Sequence, residues 1–281
     1  MPISLEPEPL TRRAVLKGLA ASAIGALAGA GAYGYLYERH ALVVDRLTLP
    51  VSGLPDALVG LRVGLLTDLH RSRVVSHEMA DAAVRALLQE RPDLIVLGGD
   101  YVTWGDRRYV GPAAEALAPL AARHGVFAVL GNHDDDRDMP AALEKRGFVV
   151  LKDARTRLEV RGEVLEIAGI RFWTRQMADL ARVLNGAKGT TLLLAHDPRR
   201  LREAAALNVP LMLSGHTHGG QIVLPGLGAI AAAAFPIVAG TTRRQNTTLC
   251  VSRGVGTVYL PVRLNCPPEV NILTLRGLEP L

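Results

Sequence analysis

Short apolar runs recur along the chain, separated by segments of helical periodicity, and each run is closed by a polar cluster. The run over 62–67 stops at Asp68-Leu69-His70. Over 76–90, Met79, Ala83, Leu87 and Leu88 fall near helical spacing, and Arg91-Pro92 closes the segment. The run over 93–97 is of the kind buried in a sheet covered on both faces, and it ends in Gly98-Gly99-Asp100. A helix is predicted over 112–123 and a strand over 125–130, which runs into Gly131-Asn132-His133-Asp134. Open α/β sheets bind ligands at the carboxyl ends of their strands, so each polar terminus falls where such a sheet carries its site.

The middle of the chain alternates in polarity over 148–151, 157–161 and 164–170, with Arg161-Gly162-Glu163 as a hairpin turn, and predicts strands of a second sheet. A helix over 177–184 and a strand over 190–195 follow, the strand ending in His196-Asp197-Pro198. A helix over 199–207 leads into the apolar run 209–213 and then Ser214-Gly215-His216-Thr217-His218. In an extended segment side chains two apart share a face, so both imidazoles would address one point, an arrangement suited to a metal. Closing strands are predicted over 247–252, 257–260 and 269–275. With no internal repeat and no linker after residue 60, the chain reads as a lead-in over 41–60 and one α/β domain over 61–281.

At 281 residues and 49% hydrophobic composition, the chain suffices for one large α/β core. Residues 1–40 differ in character. Thr11-Arg12-Arg13-Ala14-Val15-Leu16-Lys17 precedes an uncharged stretch over 18–37, and the combination resembles a twin-arginine export signal. Ala28-Gly29-Ala30 and Ala30-Gly31-Ala32 offer cleavage sites, while the apolar run is also long enough to span a membrane. As signal or as anchor it implies the twin-arginine export machinery as a partner. It also places the body outside the cytoplasm, in the periplasm or on the outer face of the membrane. The lack of an amphipathic period argues against a buried helix. The net charge of +5 is scattered and aromatics make up 4%, too little clustering for a nucleic-acid stripe. Cys250 and Cys266 fall in late strands or their connections; an oxidising compartment permits a disulfide between them, and buried free thiols are as common.

The strand-end residues are Asp68 and His70, Asp100, Asn132 and His133, His196, and His216 with His218. Each has a bland reading: a helix cap for Asp68 or Asp100, a turn for Asn132, a loop for His196, a surface turn for the His pair. Five of the eight histidines stand at strand ends, which makes joint coincidence the weaker account. The series Asp68-x-His70, Gly99-Asp100, Gly131-Asn132-His133-Asp134, His196 and Gly215-His216-x-His218 resembles the calcineurin-like metallophosphoesterase superfamily over residues 60–275, and is specific because the blocks occur in order. The twin-arginine start and the tail Ser252-Arg253-Gly254 with Asn265-Cys266-Pro267-Pro268-Glu269 are similar to exported bacterial phosphoesterases of the YkuE-like branch.

The resemblance implies a four-layer α/β/β/α sandwich, two mixed sheets flanked by helices. It implies a binuclear metal-dependent phosphoesterase that cleaves a phosphodiester, phosphomonoester or pyrophosphate bond by attack of a metal-bridging hydroxide. Carried over by position, Asp68, His70 and His218 hold one ion, Asn132, His196 and His216 the other, and Asp100 bridges them. Mixed His, Asp and Asn donors favour Mn, Fe or Zn. Two divalent ions outweigh the carboxylates of Asp68 and Asp100 together with a hydroxide, so the site stays cationic and attracts phosphate. His133, beside a ligand, is the candidate to protonate the leaving oxygen, with Asp134 either orienting it or only bonding its loop. A non-catalytic, metal-stabilised binding protein would be signalled by loss of His133 or a carboxylate ligand, and neither is lost. A nuclease would share the site but need a basic groove.

The nearly uncharged stretch 223–240, with Leu224, Leu227, Ile230, Phe235, Ile237 and Val238, has two readings. In one it is a core helix or buried strand of the second sheet. In the other, 227–238 is an apolar wall or lid beside the metals that faces the membrane, rimmed by Arg243-Arg244. The second reading makes the substrate a phospholipid or a UDP-diacylglucosamine-like lipid pyrophosphate.

Overall fold

The computed structural model describes residues 11–235 and 237–278, so the start of the export segment, Pro236 and the last three residues lie outside the description. Helix α1 (Arg12–Leu36) comes first, its N-terminus capped by the Thr11 side chain on Ala14 N–H. The first half of the body then builds β1 (Val43–Val51), β2 (Arg62–Leu66), α2 (His77–Gln89), β3 (Leu94–Leu97), α3 (Val110–Leu117), β4 (Val126–Ala128), α4 (Asp138–Glu144) and β5 (Val149–Val150). The second half builds β6 (Ala154–Val160), β7 (Glu163–Ile170), α5 (Met177–Leu184), β8 (Thr190–Ala195), α6 (Leu201–Ala206), β9 (Leu211–Ser214), β10 (Gly240–Arg244), β11 (Thr247–Val251) and β12 (Glu269–Gly277).

Two six-stranded sheets result, in the orders β1-β12-β2-β3-β4-β5 and β10-β11-β9-β8-β7-β6. Both are mixed: β2 through β5 run parallel while β12 is antiparallel to β2, and β7, β8, β9 and β11 run parallel between antiparallel edges. Successive side chains of a strand point to opposite faces, and each inner strand feeds two cores. Leu94 and Val96 of β3 pack between the sheets, whereas Ile95 and Leu97 pack beneath α2, α3 and α4. Leu192 and Leu194 of β8 meet them from the other sheet, and Leu193 and Ala195 face α5 and α6. Each fully buried aliphatic side chain contributes roughly 1.5–3 kcal/mol. Burial on both faces therefore produces the four expected layers, helices, sheet, sheet, helices.

Several local expectations are corrected. The segment 41–60, read as a lead-in, contributes β1, which pairs with β12 along all nine of its residues. It was hard to read because an edge strand half open to solvent lacks a continuous apolar run. The strand at 148–151 joins the first sheet, parallel to β4, and not the second. Helix α3 stops at Leu117, before the Ala118-Pro119 pair; the residue before a proline is disfavoured in a helix. Residues 257–260 form no strand: Tyr259 has φ 60°, and the loop is exposed only at Tyr259 and Leu260 before Pro261. The stretch 223–240 is neither a core helix nor a buried strand of the second sheet. Its described residues before β10 are irregular, with a short turn at Ile230–Ala232 and with Leu227 and Ile230 exposed. Cys250 and Cys266 are free, buried thiols.

Candidate metal centre

The parallel strands β2, β3 and β4 of one sheet and β8 and β9 of the other deliver their carboxyl ends to one place. After each end the chain turns sharply. Asp68, His70, Asp100, His216 and His218 all have positive φ, between 48° and 73°, a conformation that non-glycine residues rarely hold. Neighbouring turns brace them: Asp68 N–H donates to Gly99 O and His70 N–H to Asp100 O, both at 2.9 Å, and Gly215 N–H donates to His196 O at 3.2 Å. A Cβ on Gly131 would overlap Asp100 Oδ1, and one on Gly215 would overlap Asp68 Oδ2, so both glycines serve close approach of backbone to carboxylate.

His216 and His218 lie beyond the end of β9, both with positive φ, and their ring nitrogens fall in different groups of candidate donors. His218 joins Asp68 and His70, whereas His216 joins Asp100 and His196; within each group the ligating atoms lie within 4.8 Å of one another. The expectation that an extended strand aims both imidazoles at one point is thereby corrected. Asp100 also lies within that distance of His70 and His133, so it stands between the groups. Asn132 sits between Gly131, packed on Asp100, and His133, whose N–H donates to Asp100 Oδ1 at 2.8 Å.

This donor set fits a pair of divalent cations. Asn132 Oδ1 is buried without a hydrogen-bond partner, a costly state for a polar atom, and His196 Nε2 faces only the Asp100 carboxylate. His70 Nε2 and His218 Nε2 are 3.0 Å apart. His196 Nδ1 donates to Gly98 O at 2.7 Å, which leaves Nε2 toward Asp100 Oδ2 at 3.2 Å. The Thr103 hydroxyl, within 3.1 Å of His70 Nδ1, plays the same orienting part for His70. Burial holds His70 down at about 3 and His216 at about 4, so both are neutral, the form that ligates. Burial lifts Asp68 to about 6. Burial opposes charge on His196 as well, but the Asp100 carboxylate outweighs it and raises that imidazole to about 10, so His196 holds the proton a cation would replace.

His133 is 5% exposed, with its ring 4.9 Å from that of His70 and 4.5 Å from that of Trp104. Trp104 N–H donates to its Nδ1 at 3.1 Å, so in the neutral ring the proton resides on Nε2. Asp134 does not touch this ring. It accepts the N–H groups of Asp100 and Tyr101, each at 2.7 Å, and of Gly131 at 2.9 Å, and so fixes the Asp100 turn.

Two buried charges escaped the sequence reading. Arg263 has no exposed surface, and its guanidinium donates to the carbonyls of Arg253, Gly254, Gly256 and Cys266, with His218 O at 3.5 Å. Gly254 and Gly256 press on Asp68 and His70, so this arginine backs one half of the candidate ligand shell. Glu38, 5% exposed, accepts the N–H groups of Asn265 and Cys266 and ties the end of α1 to the same loop. No local pattern marks either residue, because both act on backbone groups far away in sequence.

Two cavities flank the centre, divided by Tyr259 and Leu260. One, about 620 Å3, is walled by Arg73, Thr103, Trp104 and the Asp106–Arg108 ion pair. The other, about 330 Å3, runs from His216 and His218 to Ala231, Ala232 and Phe235. Phe235 stands 5.3 Å from the His216 ring, so part of the 223–240 stretch does wall the site. Arg243 turns away to Ser52 at the other end of the strands and supplies no rim.

A profile of the calcineurin-like phosphoesterase family matches residues 61–220. The uncharacterized metallophosphoesterase YkuE of Bacillus subtilis (strain 168) is 31% identical over 284 residues, covering 95% of this chain and 98% of YkuE. The phosphodiesterase YaeI of Escherichia coli (strain K12) is 30% identical over 278 residues, covering 95% of this chain and 99% of YaeI. Among solved structures, the sulfate thiohydrolase SoxB of Thermus thermophilus, in complex with glycerol, shares the fold alone, with a TM-score of 0.50 at 13% identity over 79% of this chain and 57% of SoxB.

Proposed function

The chain belongs to the calcineurin-like phosphoesterase family, in its YkuE-like branch, and is a metal-dependent phosphoester hydrolase; from that premise we propose that Asp68, His70 and His218 hold one divalent ion, Asn132, His196 and His216 a second, and Asp100 both. The observation that carries this reading is the convergence of the His and Asp side chains, with Asn132 Oδ1 buried and unpartnered beside them. When bound, the ions supply positive charge to the phosphoryl oxygens and make a coordinated water acidic enough to attack phosphorus. The chain does the rest. Thr67, through its hydroxyl, and His216, through its N–H, fix the Asp68 carboxylate, and Gly98 and Thr103 orient His196 and His70. His133 offers Nε2–H to the leaving oxygen, held there by the Trp104 N–H on its other nitrogen.

The substrate is a phosphodiester or pyrophosphate with unlike substituents, one apolar and one polar. The apolar cavity beside His216 and the arginine-walled cavity beside Trp104 favour a lipid-linked ester over a simple monoester. Helix α1 is long and apolar enough to cross a membrane, and Arg12, Arg13 and Lys17 at its start favour that end on the cytoplasmic side. Export through the twin-arginine route and an outer-face location complete the reading, and Arg12→Lys with Arg13→Lys is expected to block export.

The test uses the full chain, stripped of metal by chelation and reloaded ion by ion. Hydrolysis of a bis-aryl phosphate is expected to return with Mn and not with Mg alone, at two ions per chain. Full activity of the stripped protein would sink the binuclear reading. A substrate panel that includes a phospholipid and a nucleotide-linked glycolipid then decides the ester class.

A further inference from the structure

We propose that the loops beside the apolar cavity form a docking face for the lipid bilayer, so that the mouth of the metal centre opens at the membrane surface and the substrate enters from the lipid plane. The inference rests on the hydrolase reading and on α1 as an anchor.

Tyr259, Leu260, Leu227 and Ile230 are exposed at 78%, 58%, 70% and 60%, although three are aliphatic and all lie in a protein with a well-filled core. Scattered exposed apolar residues need no explanation, but a cluster does. These belong to two loops stitched into one unit. Gln221 donates its amide to Leu260 O at 3.0 Å and accepts Val258 N–H, Val223 N–H donates to Leu264 O at 2.9 Å, and the Asn265 amide returns to Val223 O.

That unit is seated on the end of α1. Gly34, the one buried residue of the helix, gives its carbonyl to Arg263 N–H, leaves no room for a Cβ against Val262, and is followed by Glu38 in the backbone of 265–266. A helix rises about 1.5 Å per residue, so Tyr33, Tyr35 and Tyr37 lie within a turn of this contact. All three tyrosines are exposed, and aromatic side chains of this kind collect at the membrane interface. With α1 in the bilayer, the contact at Gly34 thus lies at headgroup level. Leu260, two residues from Val262, and the turn carrying Leu227 then share that level. The occupant is a bilayer and not a protein groove-filler because the face is continuous with a helix that, among the described residues, has no packing partner beyond this contact. Arg39, at the foot of α1, adds the positive charge that lipid phosphates favour.

The test uses full-length protein reconstituted in vesicles of phosphatidylethanolamine and phosphatidylglycerol. A polarity-sensitive fluorophore is attached at Leu260→Cys, Leu227→Cys or, as control, Glu163→Cys at the opposite end of the strands; the native Cys250 and Cys266 are buried. Labels at 260 and 227 are expected to emit as in lipid and to be quenched by lipids spin-labelled near the headgroup, while the label at 163 stays aqueous. Labels at 260 and 227 as aqueous as at 163 would overturn the docking face, even if a vesicle-borne ester were hydrolysed, which would leave the lipid-substrate reading standing. Labels in lipid with hydrolysis of soluble esters only would keep the docking face and remove that substrate reading. As a second readout, Leu227→Asp with Ile230→Asp is expected to lower hydrolysis of a vesicle-borne phosphodiester by roughly a hundredfold or more, from the lost burial of two aliphatic side chains. The soluble aryl ester should turn over as in the parent. Equal rates of parent and variant on the vesicle-borne ester would count against the face.

Discussion

The ligand shell and the rim above it are drawn from neighbouring stretches of the chain yet obey opposite rules. Asp68, His70, Asp100 and His218 are at most 3% exposed, sit in left-handed backbone conformations and are braced by turns from several strand ends. Such conformations cost of order 1–3 kcal/mol each and persist only where the surroundings over-determine them. Tyr259 shares the left-handed φ but little of the bracing: it is mostly exposed and lies in a loop. The comparison separates two jobs. On the proposed reading the candidate shell holds reacting geometry, so changes there should reach metal binding and stability; the rim is exposed, and changes there should leave the fold alone.

The strongest way to break this division is Asp100→Ala. Removing one partner from a buried charged set costs roughly 3–5 kcal/mol, so both ions should be lost at once, together with activity, while the rim keeps its conformation. Elemental analysis that finds two ions per chain in the variant would refute the central place of Asp100. Next in size, His133→Ala should retain metal and lose rate by about 10²–10⁴-fold on esters with poor leaving groups, and less on activated aryl esters. Equal losses on both would turn His133 into a positioning residue. Arg263→Lys keeps the charge but loses the planar fork that serves four carbonyls, and should weaken metal binding by about 10–100-fold, as expected for a group behind the ligands. Unchanged metal affinity would confine Arg263 to packing.

A further effect is on pH dependence. The folded value of His196, near 10, lies above its unfolded value of about 6.5. Its contribution to stability is therefore complete below pH 6.5 and is lost as pH rises toward 10. Chelated protein should lose melting temperature across pH 6.5 to 9, and loaded protein, in which the cation has replaced that proton, should not. Parallel melting profiles for the two forms would separate His196 from the metals.

Periodicity alone located the inner strands and α2 and α5, because residues buried on both faces leave uninterrupted apolar runs and amphipathic helices leave a stripe. It failed where solvent diluted the pattern, at β1, and where a loop happened to be apolar, at 257–260 and 223–235. The candidate ligands were legible for a related reason: polar residues placed directly after apolar runs stand at strand ends, where an α/β fold gathers its chemistry.

Which of those residues meet could not be read from spacing. His216 and His218 are separated by one residue and belong to different groups, because positive φ at both turns overrides the alternation of an extended strand. The burial of Arg263 and Glu38 was equally invisible, since their partners are backbone groups brought from distant segments by the second sheet and the end of α1. The sequence by itself determined most of the inner strands and helices and which candidate donor residues follow them, because burial and residue chemistry are local properties; the four layers came from the family resemblance. Only the tertiary structure decided what braces those residues and which apolar loops stand beside the anchor, because those depend on contacts that form only when the two sheets close.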